Sequence, residues 1–420
     1  MGRVLFPLAV ALSFVSLAAG AAGAPQTADL AFYPQAGLLW RDLYVNNFVD
    51  LDPGPGLRDF ACGTQTYDGH TGIDSDLRSF REMDLGVPVF AALDGRVISV
   101  QDGNYDRNFG SRTPPFDNHV VLEHATGRFT VYGHLRKGIA LRRDQQVRAG
   151  QQVGWTASSG NSSWPHLHFT SHVGGEVNEP FAGPCRPGAS GWLEQTPLPD
   201  EPYLRDLALS AKPFTGKRDL PHDLGVRTGT FVRGTRTLHV RAELGALRLG
   251  DAVSIRIVRP DGTAAAERTQ PVGASHGRGR ATIAFRLPLA QTGTWRLHVG
   301  AAGKALDDAP FSVVARPGQV RNRAPNAVAV TLHPAQPVAG AVFQCRIATS
   351  LATEDPDFEI VRYRYRWTAG GRVVRTVSSA ALSDLLAEGT VRAGERLTCA
   401  VTPSDGKRAG PTAAASVDVG

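Results

Sequence analysis

The chain has 420 residues, of which 42% are hydrophobic and 20% are charged, with four cysteines and a formal net charge of +6. At roughly 150 residues per domain, this length predicts two to three domains. The composition is that of a globular protein and excludes a disordered tail and a membrane protein. The mildly basic balance favours contact with anionic polymers, and an ordinary basic surface is the alternative.

The first 24 residues have the pattern of a secretory signal peptide. Arg3 supplies the positive start, residues 4–17 form an apolar run, and residues 18–24 are small, with cleavage expected after Ala21 or Ala24. The run is shorter than the roughly 20 residues that a membrane span needs, and an uncleaved anchor is the alternative. No later stretch is long enough to span a bilayer. We therefore expect a secreted, periplasmic or cell-surface protein.

The cysteines support this location. Cys62 and Cys185 fall in one predicted domain, and Cys345 and Cys399 fall in another. In an oxidising compartment, such a division predicts two structural disulfides. A cysteine-rich metal site is the alternative, but the sequence contains no C-x-x-C spacing.

Residues 25–195 contain short β-branched and aromatic runs broken by glycine and aspartate, and no long amphipathic helix. Such runs are typical of β-strands. Residues 196–226 contain five prolines without hydrophobic periodicity, which predicts a linker. In residues 227–316 several segments alternate between hydrophobic and polar positions, which predicts a β-sandwich domain. Residues 317–327 contain two prolines, a glycine and two arginines, a composition that predicts a second linker.

The last block, residues 328–420, predicts an immunoglobulin-like β-sandwich. In residues 362–367, with the sequence RYRYRW, the aromatic residues share one strand face and the arginines share the other. We interpret this pattern as strand alternation rather than as a nucleic-acid-binding surface. A buried tryptophan between two paired cysteines is typical of immunoglobulin-like domains, and Trp367 lies between Cys345 and Cys399. Because Trp367 follows Cys345 at a greater distance than in antibody domains, the topology stays open.

Seven of the 12 histidines lie between residues 70 and 172. His70 precedes Asp74 by four residues, His166 and His168 are two residues apart and would share a strand face, and His134 follows Tyr-Gly. Taken singly, each pattern has an ordinary structural alternative: a solvated loop, two surface histidines on an edge strand, and a buried core histidine.

Taken together, these residues suit a catalytic zinc site. Such a site uses three protein ligands, often imidazole and carboxylate groups, and leaves a fourth position open. The remaining histidines could move protons and stabilise an oxyanion. The H-E-x-x-H motif is absent from the sequence, which excludes a thermolysin-like arrangement.

At this point the sequence resembles the lysostaphin/LytM-type zinc endopeptidases, which cut peptidoglycan cross-bridges. The resemblance covers residues 65–181, and its motifs occur in the family's order. They are DGHTGID (68–74), GVPVFAALDGRV (86–97), NHVVLEH (118–124), YGHL (132–135), VRAGQQVGW (147–155), SSGNSSWPHLHF (158–169) and VNEP (177–180).

The resemblance implies that His70, Asp74 and His168 are the ligands of one Zn²⁺ ion, and that His134 and His166 are the catalytic pair. It also implies an antiparallel β-sheet with loops around a narrow groove that accepts peptidoglycan stems, cross-bridges or other Gly-rich peptides. With the two predicted β-sandwiches, the expected fold class is mainly β.

Three features depart from the family pattern. Residues 101–115 resemble an insertion that would reshape one wall of the groove, Ala157 stands where glycine is common, and Thr170 replaces a common acidic residue. These departures put the substrate preference in doubt and leave the ligand set intact.

Five further residues near the motifs are expected to lie outside the ligand set. His124 matches a common family histidine that we interpret as structural, and His119 and His172 are interpreted as non-ligands. Trp164 is expected either to line the groove or to pack. Asp76 is expected to be a solvated loop residue, and a neighbour of the metal is the alternative.

The leading hypothesis is a secreted zinc endopeptidase acting on peptidoglycan. The alternatives are a non-catalytic wall-binding or hydrolase-activating protein that retains zinc, and a surface adhesin with structural zinc. The two C-terminal domains are expected to position the enzyme or to bind a wall polymer or a protein partner, and no nucleic-acid partner is expected.

Overall fold

The computed structural model describes residues 29–109, 116–214, 227–273 and 277–420. The predicted signal peptide, residues 1–24, lies outside them. Within these ranges the prediction of a mainly β protein is confirmed, because 25 strands accompany one short α-helix and two 3₁₀ turns. None of the helices in the described residues has the length and apolar character needed to cross a membrane.

The N-terminal region contains strands β1 to β10 and helix α1. Its strands are β1 Tyr44–Asn47, β2 Ile73–Asp76, β3 Pro88–Phe90, β4 Gly95–Gln101, β5 His119–Glu123, β6 Arg128–Gly133, β7 Gln146–Val147, β8 Gln152–Trp155, β9 His166–Val173 and β10 Glu176–Asn178. Eight of them form one sheet in the order β1-β2-β9-β6-β5-β4-β7, with β10 paired to β9, while β3 and β8 form a separate pair. Every pairing between these strands is antiparallel.

Helix α1, Phe80–Leu85, follows β2 and is the one α-helix of the described residues. Ser79 caps its N-terminus by accepting a hydrogen bond from the Glu82 amide at 3.2 Å. Gly86 ends the helix with φ at 94°, a conformation that glycine adopts without steric cost.

Strand β9 lies between β2 and β6 near the middle of the large sheet. Leu167 and Phe169 are buried in the hydrophobic core of this region. Since successive side chains of a strand point to opposite faces, His166 and His168 are directed to the other face. The core thus orients the two histidines.

The second region contains strands β11 to β18. They are β11 Tyr203–Ser210, β12 Thr230–Val232, β13 Leu238–Gly245, β14 Ala252–Val258, β15 Ala264–Pro271, β16 Gly279–Phe285, β17 Gly293–Ala301 and β18 Lys304–Val314. The sheets β11-β13-β16 and β12-β18-β17-β14-β15 share one hydrophobic core, to which Val240 and Ile283 of the first sheet and Leu297 and Phe311 of the second contribute.

Strand β11 corrects the prediction of a linker over residues 196–226. Residues 203–210 pair with β13, and Leu207 and Leu209 are buried in the core of the second region. Pro202 and Pro213 lie just outside the strand, so these prolines bound the strand rather than break it. Residues 196–202 and 211–214 lie outside the strand, and residues 215–226 lie outside the described ranges.

The third region contains strands β19 to β25. They are β19 Ala329–His333, β20 Phe343–Ala348, β21 Arg362–Ala369, β22 Arg372–Ser379, β23 Ser383–Leu386, β24 Arg396–Ser404 and β25 Ala413–Asp418. The sheets β19-β20-β23 and β22-β21-β24-β25 share one core. The immunoglobulin-like topology stays a prediction.

Both predicted disulfides are confirmed. Cys62–Cys185 closes a sequence separation of 123 residues in the N-terminal region. Cys345–Cys399 joins β20 of one sheet to β24 of the other. Trp367 lies directly opposite Cys399 in the register of β21 and β24, and it is fully buried in the core between the two sheets.

The third region packs directly against the N-terminal region. Ala380, Ala381 and Leu385 share a hydrophobic cluster with Phe80 and Met83 of helix α1. The buried Arg78 side chain forms ion pairs with Glu82 at 3.1 Å and with Glu354 of the third region at 3.0 Å. A buried ion pair that lost one partner would leave an uncompensated charge, so this contact holds the two regions in one arrangement.

Candidate metal centre

His70, Asp74 and His168 converge on one point at the large sheet. Asp74 on β2 lies directly opposite His168 on β9 in the antiparallel register, and His70 precedes β2 by three residues. One ligand atom from each of the three lies within 4.8 Å of the others. Gly72 permits this approach, because a Cβ there would lie 2.7 Å from Cε1 of His168.

The distances between the potential ligand atoms suit a small tetrahedral cation. His70 Nε2 lies 3.1 Å from Asp74 Oδ2 and 3.2 Å from His168 Nδ1. His168 Nδ1 lies 2.8 Å from Asp74 Oδ1. With zinc–ligand bonds of about 2.0–2.1 Å, the ligands of a tetrahedral site lie about 3.3 Å apart, so small adjustments bring these atoms to bonding distance.

The outer nitrogens of both histidines are occupied by hydrogen bonds. His70 Nδ1 lies 2.7 Å from the Phe48 carbonyl oxygen, which only accepts, so Nδ1 carries the proton. His168 Nε2 lies 2.9 Å from the Thr170 hydroxyl. The inner nitrogen of His70 therefore presents a lone pair to the Asp74 carboxylate, and the Thr170 hydroxyl, which can accept as well as donate, allows the same tautomer for His168. Lone pairs facing each other at this distance need a cation or a proton between them. The donor set fits zinc.

Burial opposes ionisation of Asp74, yet the neighbouring His166, His70 and His168 outweigh it and hold the pKa of this carboxyl well below its ordinary value. Asn47 on β1 also donates to Asp74 Oδ2 at 2.9 Å. Burial lowers the pKa of His70, but the Asp74 charge and hydrogen bond dominate and raise it. The pocket is thus electronegative and favours a bound positive charge.

His134 and His166 form a second pair beside this cluster, with ring centroids 4.4 Å apart. His134 Nδ1 donates to the Ser159 carbonyl at 2.7 Å, and His166 Nδ1 donates to the Trp164 carbonyl at 2.7 Å. In the neutral form of each ring the Nε2 atom is therefore the proton acceptor, and that of His166 lies 3.6 Å from Asp74 Oδ1. Burial, followed by the charges of His166 and His168, lowers the pKa of His134 to about 3, so this imidazole is neutral at pH 7.

His134 has a φ of 58°, in the left-handed region that is costly for a residue with a Cβ. Its amide donates to Asp117 Oδ2 at 3.0 Å, and Asp117 Oδ1 accepts from His119 at 2.9 Å. Asp117 therefore holds the strained turn that directs His134 toward the metal cluster.

Residues 68–180 match the sequence model of the family described as Peptidase family M23. These residues form an M23 peptidase domain. The match contains all five histidine and aspartate residues of the two clusters, from His70 to His168.

Curated relatives are similar to part of this chain. The chain is 31% identical over 113 residues to the DD-carboxypeptidase/endopeptidase Mpg of Neisseria meningitidis, covering 27% of this chain and 22% of the relative. It is 32% identical over 93 residues to the peptidoglycan DD-endopeptidase ShyA of Vibrio cholerae, covering 22% and 19%. The chain thus spans about a fifth of the length of these relatives.

Among solved structures, the chain is 26% identical to the catalytic domain of the antimicrobial peptidase lysostaphin from Staphylococcus simulans. The similarity covers 33% of this chain and 86% of that chain, with a TM-score of 0.22.

The other histidines of the M23 domain lie away from the ligand cluster. His124 Nδ1 donates to the Asp94 carbonyl at 2.7 Å, and its Nε2 contacts the Thr130 hydroxyl at 2.8 Å. His172 stacks on Phe129 with ring centroids 4.2 Å apart. The structure therefore places both of them, and His119 beside Asp117, outside the three-residue group.

Asp76 is placed differently from the sequence expectation. It was expected in a solvated loop, but it ends strand β2 directly opposite His166, is buried, and forms an ion pair with Arg278 at 2.7 Å. Because Asp74 and Asp76 are two residues apart in strand β2, their side chains share one face of the strand, and Asp76 is therefore directed to the same side as Asp74 rather than into a loop. Trp164 packs against Phe80 and donates from Nε1 to the Leu77 carbonyl at 2.8 Å.

Sequence analysis missed two supporting residues of the M23 domain and its lead-in. Asn47 contacts Asp74 from a strand that precedes the recognised motifs, and Asp117 holds the His134 backbone. The Asp117 position, directly before the NHVVLEH motif and 17 residues before His134, was the available signal. The sequence around Asn47 contains no motif that predicts its role, because its contact with Asp74 depends on the pairing of β1 with β2.

Proposed function

We propose that this chain is a secreted, zinc-dependent endopeptidase that hydrolyses peptide bonds in peptidoglycan stems or cross-bridges. The observation that carries the proposal is the placement of two histidine pairs around Asp74, one suited to hold a metal and one suited to move protons. The M23 match and the relatives named as peptidoglycan endopeptidases support the reaction class.

In this proposal His70 Nε2, Asp74 and His168 Nδ1 hold the zinc ion. Bound zinc supplies Lewis-acid polarisation of the scissile carbonyl and acidifies water for the attack. Phe48 O and Thr170 Oγ1 keep the inner nitrogens of His70 and His168 directed at the ion. Asn47 keeps the Asp74 carboxylate oriented by its hydrogen bond.

His134 and His166 act as the proton carriers. Each has its Nδ1 proton committed to a backbone carbonyl, and one of the two Nε2 atoms accepts the proton of the attacking water. Once protonated, Nε2 donates a hydrogen bond to the developing oxyanion and returns the proton to the leaving amine. Asp117 fixes His134 for this exchange.

The domain assignment belongs to the same proposal. Residues 25–195 form the zinc peptidase region, and residues 203–316 and 328–420 form two β-sandwich domains that position it or bind a wall polymer or protein partner. Two sheets around one core in each C-terminal region support the sandwich assignment. The two disulfides and the N-terminal sequence support an extracytoplasmic location.

Mass spectrometry of digested peptidoglycan tests the proposal. The purified protein is incubated with muropeptides and with Gly-rich peptides, and the new termini identify the cleaved bond. His134→Ala is expected to lower turnover by roughly 10²–10⁴-fold while zinc stoichiometry stays at one. The control is His172→Ala, which changes a histidine on the same strand as His166 outside the cluster.

The two outcomes separate an enzyme from a binding protein. Turnover by wild type and by the His172→Ala variant, with loss in the His134→Ala variant, supports the proposal. A wild type that binds zinc yet leaves all these peptides intact would overturn it and favour a wall-binding protein with a retained metal site.

A further inference from the structure

An arginine from the second region reaches the M23 domain next to its catalytic histidines. Arg278 lies at the start of β16, and its Nη1 donates to Asp76 Oδ2 at 2.7 Å. Its guanidinium carbon lies 5.2 Å from the Trp164 ring centroid, within cation–π range. A second ion pair joins Arg278 Nη2 to Glu243 on β13 at 2.8 Å. The same side chain therefore bridges two regions.

Both contacts of Arg278 in the M23 domain involve direct neighbours of His166. Asp76 is the cross-strand partner of His166 in the register of β2 and β9. The Trp164 carbonyl accepts the Nδ1 proton of His166 at 2.7 Å. Arg278 thus contacts the residue opposite His166 and the residue whose carbonyl sets its tautomer.

The approach of Arg278 is supported by the backbone before it. Gly277 has a φ of 77°, and a Cβ there would lie 2.9 Å from the Tyr44 hydroxyl of β1. Glycine suits this point because the φ is positive and the chain passes close to the M23 domain. Arg205 of β11 adds a second contact, donating to the main-chain carbonyl of Asp76 at 3.2 Å.

Removing Arg278 would leave a charge without its partner. The Asp76 side chain is 7% exposed and that of Arg278 is 18% exposed. A carboxylate buried to this extent needs a cation or a hydrogen-bond donor, and without one its surroundings rearrange. Such rearrangement would act on strand β2 and on the Trp164 backbone, which flank His166 on two sides.

We propose that Arg278 is a positioning residue for His166, and that the second region is therefore a working part of the active site rather than a separate targeting module. The inference rests on the proposed function. Arg278 makes no contact with substrate in this scheme; it acts by holding Asp76 and Trp164, and through them the orientation of the His166 ring.

The test compares Arg278→Ala with Arg280→Ala. Arg280 pairs with the same Glu243 at 2.9 Å, but that ion pair lies within the second region. For Arg278→Ala we expect kcat to fall by roughly 10–100-fold with KM within about twofold, since misplacement of a catalytic group acts on the chemical step. Zinc stoichiometry stays at one. Arg280→Ala is expected to keep both constants.

A second readout does not depend on activity or on zinc. Hydrogen–deuterium exchange of the metal-free protein, followed by mass spectrometry, reports on the backbone of residues 160–170. This segment is expected to exchange at least about threefold faster in Arg278→Ala and at the wild-type rate in Arg280→Ala. Arg278→Lys retains the charge beside Asp76, loses the planar contact with Trp164, and is expected to recover part of both effects.

The outcomes are decisive in either direction. Unchanged exchange and unchanged kcat in Arg278→Ala overturn the inference, as does a rise in KM alone, which would indicate a docking role. If Arg278→Ala does not fold, Arg278→Lys is compared with wild type by the same two measurements. If wild type binds zinc without turnover, the proposed function fails, and the exchange data still decide whether Arg278 holds the segment around His166.

Discussion

Strands β9 and β21 have the same alternating pattern but use it differently. In β9 the apolar residues Leu167 and Phe169 are buried in the core, and His166 and His168 on the opposite face contact Asp74. In β21 the aromatic residues are buried and the intervening arginines are exposed to solvent. The alternation of apolar and polar residues therefore predicts which side chains share a strand face, but it does not predict whether that face forms a functional site.

The difference comes from what the rest of the chain places opposite each face. The β9 histidines meet Asp74 and His70, which lie more than 90 residues earlier in the sequence. The β21 arginine Arg364 has the neutral Ser378 and Thr402 as its cross-strand neighbours. The candidate metal site forms because the pairing of β2 with β9, which are distant in sequence, brings the polar side chains of both strands together around Asp74.

The largest expected effect comes from breaking that convergence. Asp74→Asn removes the charge that faces both inner nitrogens, so we expect loss of bound zinc and a fall in turnover of roughly 10³-fold or more. Metal analysis and peptide cleavage measure the two effects. The control is Asp68→Asn, which changes an exposed carboxylate two residues before His70. Retention of stoichiometric zinc by Asp74→Asn would contradict the ligand assignment.

On β21 the inward face is expected to matter for stability and not for catalysis. Trp367 is fully buried and donates to Asp384 at 2.8 Å. Trp367→Ala leaves a cavity and removes one donor from Asp384, which still accepts from Arg375, so the free energy of unfolding should fall by about 3–5 kcal/mol. Urea titration measures this, and Trp367→Phe, which keeps most of the ring volume, should cost less. An equal fall in the free energy of unfolding in both variants would indicate that Trp367 stabilises the domain through its hydrogen bond to Asp384 rather than through its ring volume.

The smallest expected effect is on the outward face of the same strand. Arg364→Ser replaces an exposed arginine between neutral neighbours, and the free energy of unfolding should change by no more than about 0.5 kcal/mol. The same urea titration measures it. A change comparable with that of Trp367→Phe would show that this face is buried by a contact and would remove the contrast with β9.

The sequence predicted the β class, both disulfides and the alternation of β9 and β21, because each depends on short-range periodicity or on the division of cysteines between regions. The grouping of His70, Asp74 and His168 was predicted from the family resemblance, since the spacing of His70 and Asp74 alone favoured a solvated loop. Residues 203–210 were assigned to a linker because prolines around the strand hid its alternation. The Asp76–Arg278 pair escaped prediction because its members are 202 residues apart.

The Cys62–Cys185 disulfide has a consequence for the effect of proteolysis on this protein. All three proposed ligands and both proposed proton carriers lie between the two cysteines. A protease that cuts the backbone once between His70 and His168 therefore separates the proposed ligands onto two chain segments that remain covalently joined. Such a nicked molecule would migrate as one species on a non-reducing gel and as two on a reducing gel, with the metal-binding residues still tethered to each other.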